Sequence, residues 1–188
     1  MKHLPNIISV LRILLVIPIV NYLWHNEFGK ALALFFIAGI SDGLDGFLAR
    51  HFGWMSRLGS VLDPLADKLL MTAIYFTLGL KSQLPLWLVA LVIGRDLVIV
   101  LGAAAYRLLI KNITMQHLLI SKLNTGMQIL LVLLLIFRLS ELPFANVVPS
   151  TLVTVLIYLV ALTTLISGVA YVVLWSVRAR EQLKVKSQ

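Results

Sequence analysis

The chain of 188 residues contains no cysteine and little charge. The missing cysteine excludes a disulfide framework and a thiolate metal site. Asp, Glu, Lys and Arg together make up 13% of the residues, whereas 60% are hydrophobic, and soluble proteins average about 25% charged residues. Because so few charged residues cannot cover the surface of a water-soluble protein, the composition predicts an integral membrane protein. The hydrophobic stretches are long enough to form membrane-spanning helices.

Hydrophobic residues fall into six stretches, each close to the roughly 20 residues that cross the hydrocarbon as a helix. These stretches cover residues 5–25, 29–50, 59–80, 84–110, 118–138 and 147–176. Since short connections separate them, we expect an all-α protein with six transmembrane helices in a single membrane domain, residues 1–188. No Arg- and Ser-rich transit segment precedes the first stretch, which favours a bacterial inner membrane over an organelle.

The net charge of +8 is spread along the chain rather than concentrated in one basic run, which argues against nucleic-acid binding. With six spans, most Lys and Arg residues, Arg12 among them, lie at one membrane face. The opposite face receives Lys30, Lys81 and Arg138. By the positive-inside rule both termini are expected in the cytoplasm, and the basic face is expected to attract anionic headgroups.

Half of the eight acidic residues are aspartates of one stretch, SDGLDGFLARHFGWMSRLGSVLDPLADKLL, residues 41–70. At about 100° per residue, Asp42 and Asp45 share one helical stripe, and Asp63 and Asp67 share another on the next helix. A turn on the cytoplasmic side lets the two stripes face each other. The spacing therefore predicts that four carboxylates converge near the membrane surface.

Converging carboxylates repel one another, so they require either protonation or cations. Hard divalent cations are natural partners for oxygen ligands. Two Mg²⁺ or Mn²⁺ ions would neutralise four carboxylates and suit a displacement at phosphorus. Gly46, Ala49 and Gly59 are small enough to leave room for a phosphate-bearing ligand, although Gly39, Gly43 and Gly46 also suit close packing of helices.

The aspartates belong to a longer pattern, D-x2-D-G-x2-A-R-x8-G-x3-D-x3-D, which runs from Asp42 to Asp67 without a departure. This pattern resembles the signature of the CDP-alcohol phosphotransferase family. The resemblance implies a six-helix membrane enzyme, usually a homodimer, that transfers a phosphatidyl or similar group from a CDP-linked donor to an alcohol and releases CMP. It also implies that Asp42, Asp45, Asp63 and Asp67 hold two divalent ions, and that Asp67 is the catalytic base for the acceptor hydroxyl.

The opening PNIISVLR is similar to the PNxxTxxR segment of the glycerophospholipid branch of that family. Ser9 stands where the segment has threonine, and it keeps a hydroxyl group. The donor implied by this branch is CDP-diacylglycerol. The residues expected at its binding site are Asn6, Ser9, Gly46, Arg50, Ser56 and Gly59.

Three further cations bear on the acceptor phosphate: Arg95, Arg107 and Lys122. Arg95 lies inside the fourth predicted span beside Asp96, so it requires either an ion pair with an aspartate or a bound phosphate. Both interpretations stay open for Arg95. For Arg107, an ordinary charge at the cytoplasmic face is the favoured interpretation.

The segment ISKLNTGMQ around Lys122 is similar to the GKxKTxxQ segment of phosphatidylglycerophosphate synthases, with Ser121 for glycine and Asn124 for lysine. It follows the ISKxNTxxQ segment of eukaryotic-type cardiolipin synthases more closely. A missing cation at Asn124 suits a phosphodiester acceptor better than a phosphomonoester, which carries up to about two charges. We therefore expect phosphatidylglycerol as the acceptor, with glycerol 3-phosphate as the alternative.

Two other classes of protein are compatible with intramembrane aspartates. A proton-coupled transporter would use them as a proton pathway, but it also predicts discontinuous helices and paired half-repeats, which the sequence does not display. A non-catalytic membrane scaffold has no use for four converging carboxylates. Release of CMP that depends on Mg²⁺ or Mn²⁺ distinguishes the enzyme from both alternatives.

Overall fold

The computed structural model describes residues 4–51, 59–110 and 119–186 of the chain, with side chains described for residues 7–44, 62–102 and 119–174. The described residues form six α-helices and a short 3-10 helix, Ala145–Val147. The α-helices are α1 (Leu4–Trp24), α2 (Phe28–His51), α3 (Gly59–Leu80), α4 (Leu86–Ile110), α5 (Leu119–Leu139) and α6 (Ser150–Lys186). They coincide with the six predicted stretches within a few residues, except that α6 continues well past residue 176.

Among the described residues, three helices contain a stretch that is long and apolar enough to cross a membrane. These stretches are Ile7–Trp24 in α1, Leu119–Leu139 in α5 and Ser150–Leu174 in α6. They agree with the predicted membrane protein. Six spans and cytoplasmic termini stay predictions.

The chain divides into two compact units. The first, called unit 1 below, combines residues 1–85 with 132–149, and the second, unit 2, combines residues 86–131 with 150–188. In unit 1, α1 packs against α2 and α3, and in unit 2, α4 packs against α6. The expectation of a single membrane domain stays a prediction.

Unit 1 is organised around the inward face of α1. Ser9, Arg12, Ile19 and Leu23 are all almost completely buried, and their spacing of three, seven and four residues puts them on one helical stripe. The stripe is apolar over Ile19 and Leu23 and polar towards the start of the helix. Burial of the apolar part against α2 and α3 therefore carries Ser9 and Arg12 into the interior as well.

Contacts at the other end of α1 fix its direction relative to α3. The ammonium group of Lys81, just after α3, donates to the carbonyl oxygens of Leu23 (2.8 Å) and Trp24 (2.7 Å) and to Oδ1 of Asn26 (2.5 Å). A lysine in this place satisfies carbonyls that the end of α1 leaves without partners. Since the ends of α1 and α3 meet here, the two helices run parallel, and their beginnings also lie side by side.

Gly39 and Gly43 of α2 make no close helix contact among the described residues. A Cβ atom built on Gly39 or Gly43 would meet no atom within 4 Å beyond its own helix among the described residues. Close helix packing at these two positions therefore stays a prediction. The third glycine of that set, Gly46, lies outside the residues whose side-chain surroundings are described.

Candidate active site

Three of the four signature aspartates come together at the beginning of α1. Asp42 comes from the second half of α2, and Asp63 and Asp67 come from the first three turns of α3. Both helices pack against α1, so the buried polar residues of α1 meet these carboxylates. Asp42, Asp63 and Asp67 all contact Arg12 or Ser9 of α1, which is consistent with their predicted convergence. The side chain of Asp45 lies outside the described residues.

Arg12 is the centre of the cluster. Its Nη1 lies 2.6 Å from Oδ1 of Asp42 and also donates to Oδ1 of Asp67. Arg12 is only 1% exposed, whereas the side chains of Asp42 and Asp67 are 45% and 50% exposed. One buried guanidinium therefore bridges carboxylates of two helices, and each carboxylate keeps surface that a ligand can reach.

Ser9 contacts the third carboxylate. Its hydroxyl donates to Oδ1 of Asp63, and the residue is fully buried. Ser9 is predicted from the sequence to lie at the donor-binding site, and Asp63 is predicted to be a metal ligand. The structure brings these two residues into direct contact one helical turn from Arg12.

The cluster carries an excess of negative charge. Asp42 and Asp63 are both close enough to Asp67 to repel its charge, and Arg12 supplies one compensating cation. Carboxylate oxygens are the ligands that Mg²⁺ and Mn²⁺ prefer, so the side chains of this cluster fit these ions. Among the side chains that are described, no group of three or more His, Cys, Asp or Glu residues has the arrangement to hold a metal ion.

The role of Arg12 was not predicted from the sequence, in which this residue has the position of an ordinary charge of the cytoplasmic face. The available signal was its place as the last residue of PNIISVLR, three residues after Ser9 on the same helical stripe. A cation on the buried stripe of an apolar helix requires an anionic partner. The aspartates of the signature are such partners.

Several other predicted site residues lie outside the part of the chain for which the structure describes side chains. Ser56 falls between α2 and α3, outside the described residues altogether. The others belong to described helices, but nothing is known of their side-chain contacts. The predictions that rest on these positions concern Asn6, Asp45, Gly46, Arg50, Ser56, Gly59 and Arg107.

Unit 2 contains a separate polar cluster around Arg95 of α4, which is 8% exposed. Its guanidinium donates to Oδ1 of Asp96 (2.7 Å) and to the hydroxyl oxygens of Ser121 (2.6 Å) and Ser167 (2.6 Å). The first of these contacts is the ion pair that was one of two interpretations of Arg95. Binding of a phosphate there stays a prediction, as it does for the exposed Lys122 next to Ser121.

Asn124 has a structural role in the same unit. Its Oδ1 accepts hydrogen bonds from the hydroxyls of Thr163 (2.8 Å) and Thr164 (2.9 Å), and the residue is completely buried. In the sequence, Asn124 is notable only because a related segment has a lysine at this position. A lysine at this position would have to enter the contact between α5 and α6, where a buried charge is costly.

The chain is similar in sequence to known proteins over most of its length. Residues 2–179 match the family described as CDP-alcohol phosphatidyltransferase. Human "Cardiolipin synthase (CMP-forming)" is 34% identical over 185 residues, which cover 89% of this chain and 60% of the human protein. A "Cardiolipin synthase (CMP-forming) / mitochondrial hydrolase fusion protein" of Schizosaccharomyces pombe is 38% identical over 89% of this chain and 30% of its own length.

A bacterial relative matches over nearly its whole length. The "CDP-diacylglycerol--glycerol-3-phosphate 3-phosphatidyltransferase" of Rickettsia typhi is 30% identical over 91% of this chain and 96% of its own. By contrast, the chain spans only 30% and 60% of the lengths of the fission-yeast and human relatives. The resemblance drawn from the signature is confirmed, and the chain belongs to the CDP-alcohol phosphatidyltransferase family.

Proposed function

We propose that this protein transfers a phosphatidyl group from CDP-diacylglycerol to phosphatidylglycerol, with release of CMP. The observation that carries the proposal is the cluster of Asp42, Asp63 and Asp67 around Arg12 and Ser9. These aspartates are signature positions of a family whose named relatives include CMP-forming enzymes. The proposed product is cardiolipin.

The family is generally dependent on divalent metals. We infer that Asp42, Asp45, Asp63 and Asp67 hold two Mg²⁺ or Mn²⁺ ions. When bound, such ions would stabilise the attacking and the leaving oxygen of a displacement at phosphorus. The half-exposed carboxylates of Asp42 and Asp67 are accessible for this purpose.

In the proposed reaction, Asp67 takes the proton from the acceptor hydroxyl as the oxygen attacks the phosphorus that bears the diacylglycerol. One of its oxygens interacts with Arg12, which leaves the other to act as base. Arg50 donates to the pyrophosphate, since a guanidinium is suited to bidentate contact with phosphate oxygens. The donor is positioned by the residues expected at its site: Asn6, Ser9, Gly46, Arg50, Ser56 and Gly59.

Arg95, Arg107 and Lys122 are the proposed contacts for the acceptor phosphate. The arrangement around Arg95 supports a single weak anionic contact, because two serine hydroxyls and Asp96 already receive hydrogen bonds from its terminal nitrogens. Asn124, which takes the place of a lysine in the phosphatidylglycerophosphate synthase segment, adds no positive charge. Both features favour a phosphodiester over a phosphomonoester.

Glycerol 3-phosphate is the second candidate acceptor. It is favoured by the name of the Rickettsia relative, which this chain covers almost completely. The donor, the metals and the role of Asp67 are the same in both reactions. The two candidates differ only in whether the attacking hydroxyl belongs to a lipid or to a water-soluble molecule.

The proposed setting is a bacterial inner membrane, with six spans, cytoplasmic termini and the active site facing the cytoplasm. We also propose a homodimer, as the family resemblance implies. The three long apolar helices support insertion into a membrane. A substrate pair that consists of two lipids is compatible with that location.

The test is CMP release by the purified full-length chain in detergent with CDP-diacylglycerol, comparing phosphatidylglycerol with glycerol 3-phosphate. We expect release with phosphatidylglycerol, loss of release with a chelator, and recovery on addition of Mg²⁺ or Mn²⁺. Release with glycerol 3-phosphate alone would replace the first candidate acceptor by the second. Absence of release with both acceptors would contradict the transferase and favour the transport interpretation of the aspartates.

A further inference from the structure

A groove runs along unit 2 between α4 and α6. Its volume is about 410 Å³, within the range of roughly 300–1,000 Å³ typical of small-molecule pockets. The α6 wall is made by residues at four-residue intervals on one helical face, including Leu165, Val169 and Val173. These three side chains are each more than half exposed, so the groove opens to the surroundings of the helix.

The walls of the groove offer almost no polar surface. Thr164 lines it, but its hydroxyl is engaged by Asn124. Arg95 also lines it, and a Cβ built on Gly168 would lie 3.7 Å from the Cγ atom of the Arg95 side chain. The aliphatic stem of Arg95 therefore contributes apolar wall, while the terminal nitrogens of its guanidinium reach Asp96, Ser121 and Ser167.

Arg95 also has one donor that no described residue satisfies. Its Nε–H is buried and has no hydrogen-bond partner among the described residues. A buried donor without a partner is unfavourable, and an anionic phosphodiester oxygen would satisfy it. The groove thus combines apolar walls with a cation that has one hydrogen-bonding position left, as an anionic phospholipid requires.

The length of the groove matches one leaflet of a bilayer. On α4 its lining extends from Ala90 to Val98, a distance of about 12 Å at the helical rise. Half of a hydrocarbon core of roughly 30 Å is about 15 Å. A hydrocarbon chain as long as one leaflet is deep can therefore lie along the groove.

We propose that this groove binds an acyl chain of the acceptor phosphatidylglycerol and so selects a lipid acceptor over a water-soluble one. The inference rests on the proposed function, and it adds a determinant of acceptor choice. Glycerol 3-phosphate has no acyl chain and gains nothing from the groove. The donor lipid is not the occupant, because the groove includes Arg95, which the proposed function assigns to the acceptor phosphate.

Gly94 provides a direct way to fill the groove. It lines the groove, and a Cβ built on it would meet no described atom within 4 Å. Gly94→Leu therefore adds a side chain to the groove lining at a position where its Cβ meets no described atom. Gly39→Leu is the matched control, because Gly39 lies on α2 with equally open surroundings and has no part in the proposed site.

The first measurement is photo-crosslinking of the full-length protein in vesicles with a phosphatidylglycerol that carries a diazirine in one acyl chain. We expect adducts at residues 90–98 and 164–173, and we expect excess phosphatidylglycerol, but not phosphatidylcholine, to compete with them. Gly94→Leu should abolish these adducts, and Gly39→Leu should retain them. Adducts spread evenly over exposed residues such as Leu14 and Ile40 would indicate bulk lipid only and would overturn the proposal.

The second measurement is kinetic. We expect Gly94→Leu to raise the apparent KM for dioleoyl-phosphatidylglycerol roughly tenfold, because buried methylene groups lose their contacts, while the KM for CDP-diacylglycerol stays unchanged. Unchanged KM values together with a shift of the purified protein from dimer to monomer would assign the groove to a second copy and overturn the inference. If the wild type releases no CMP with phosphatidylglycerol, the proposed acceptor fails, and the crosslinks alone decide whether the groove binds this lipid.

Discussion

Arg12 and Asp67 form an ion pair between α1 and α3, and the same guanidinium nitrogen of Arg12 lies 2.6 Å from Asp42 on α2. A single buried cation therefore links the two helices that carry the signature to the first helix of the chain. The positive charge of Arg12 and divalent ions are attracted to the same carboxylate oxygens. We expect Arg12 to release at least one carboxylate when the four aspartates hold two ions.

Replacement of Arg12 by glutamine tests this relationship. The variant keeps hydrogen-bond donors but leaves two carboxylates without their cation, so we expect a loss of about 1–3 kcal/mol in unfolding free energy. Fully buried pairs lose about 3–5 kcal/mol when one partner is removed, and here the aspartates are half exposed. The measurement is the thermal unfolding midpoint of the purified protein in detergent, with and without Mn²⁺.

Mn²⁺ should raise the midpoint of the Arg12→Gln variant more than that of the wild type, because no internal cation competes for the carboxylates. The control is Lys30→Gln, which removes a cation from the exposed pair with Glu27. That variant should behave like the wild type. Equal midpoints and equal Mn²⁺ responses for Arg12→Gln and the wild type would show that Arg12 does not stabilise the cluster.

Asp67→Asn tests the proposed base. Asparagine has nearly the same shape as aspartate but cannot accept the proton of the acceptor hydroxyl, and general bases contribute roughly 100-fold to 10,000-fold to rates. We therefore expect kcat for CMP release to fall by at least about 100-fold. Glu141→Gln serves as the control, since Glu141 is an exposed acidic residue after α5. A rate for Asp67→Asn close to that of the control would assign the base to another residue.

The positions of the helices were predictable because each depends on a local property, the length of an apolar stretch. The signature also predicted the meeting of Asp42 with Asp63 and Asp67, since helical spacing defines the face on which each carboxylate lies. The cation between them was not predicted. Packing against α2 and α3 determines which stripe of α1 becomes buried. From the sequence alone, an arginine in the first half of an apolar stretch resembles an ordinary charge at the membrane interface.

The contact made by Asn124 in unit 2 was likewise not predictable from the sequence. A comparison of motifs treats Asn124 as a lysine that is absent, whereas the structure uses its carboxamide oxygen to hold α6. The threonines that contact it are about forty residues away in the chain. No local pattern identifies such a contact, because it arises only when the two helices pack.

Ser9 allows a test with a conservative control. Ser9→Ala removes the hydroxyl that donates to Asp63, so the carboxylate loses a partner that helps to orient it. Hydrogen bonds to charged groups contribute about 1.5–3 kcal/mol, and we expect the alanine variant to bind Mn²⁺ and CDP-diacylglycerol more weakly. Ser9→Thr keeps the hydroxyl and should retain activity. Equal Mn²⁺ affinity for the alanine and threonine variants would contradict a role for this hydrogen bond.

The contact of Asn124 with two threonines predicts a specific non-additivity. Either hydroxyl alone can satisfy Oδ1 of Asn124, and Thr163 also has the carbonyl oxygens of Leu159 and Val160 within reach. Thr163→Val and Thr164→Val should therefore each lower the unfolding free energy by less than about 1 kcal/mol. The double variant leaves a buried carboxamide oxygen without a donor, at a loss of about 1–3 kcal/mol, more than the sum of the two single changes.

The measurement is the unfolding midpoint in detergent for the two single variants, the double variant and Asn124→Leu combined with the double variant. Leucine removes the polar group, so the triple variant should recover part of the stability that the double variant loses, because no buried oxygen is left without a partner. Strict additivity of the single changes would mean that water reaches Oδ1 of Asn124. In that case the carboxamide would not be the buried link between α5 and α6 that the structure describes.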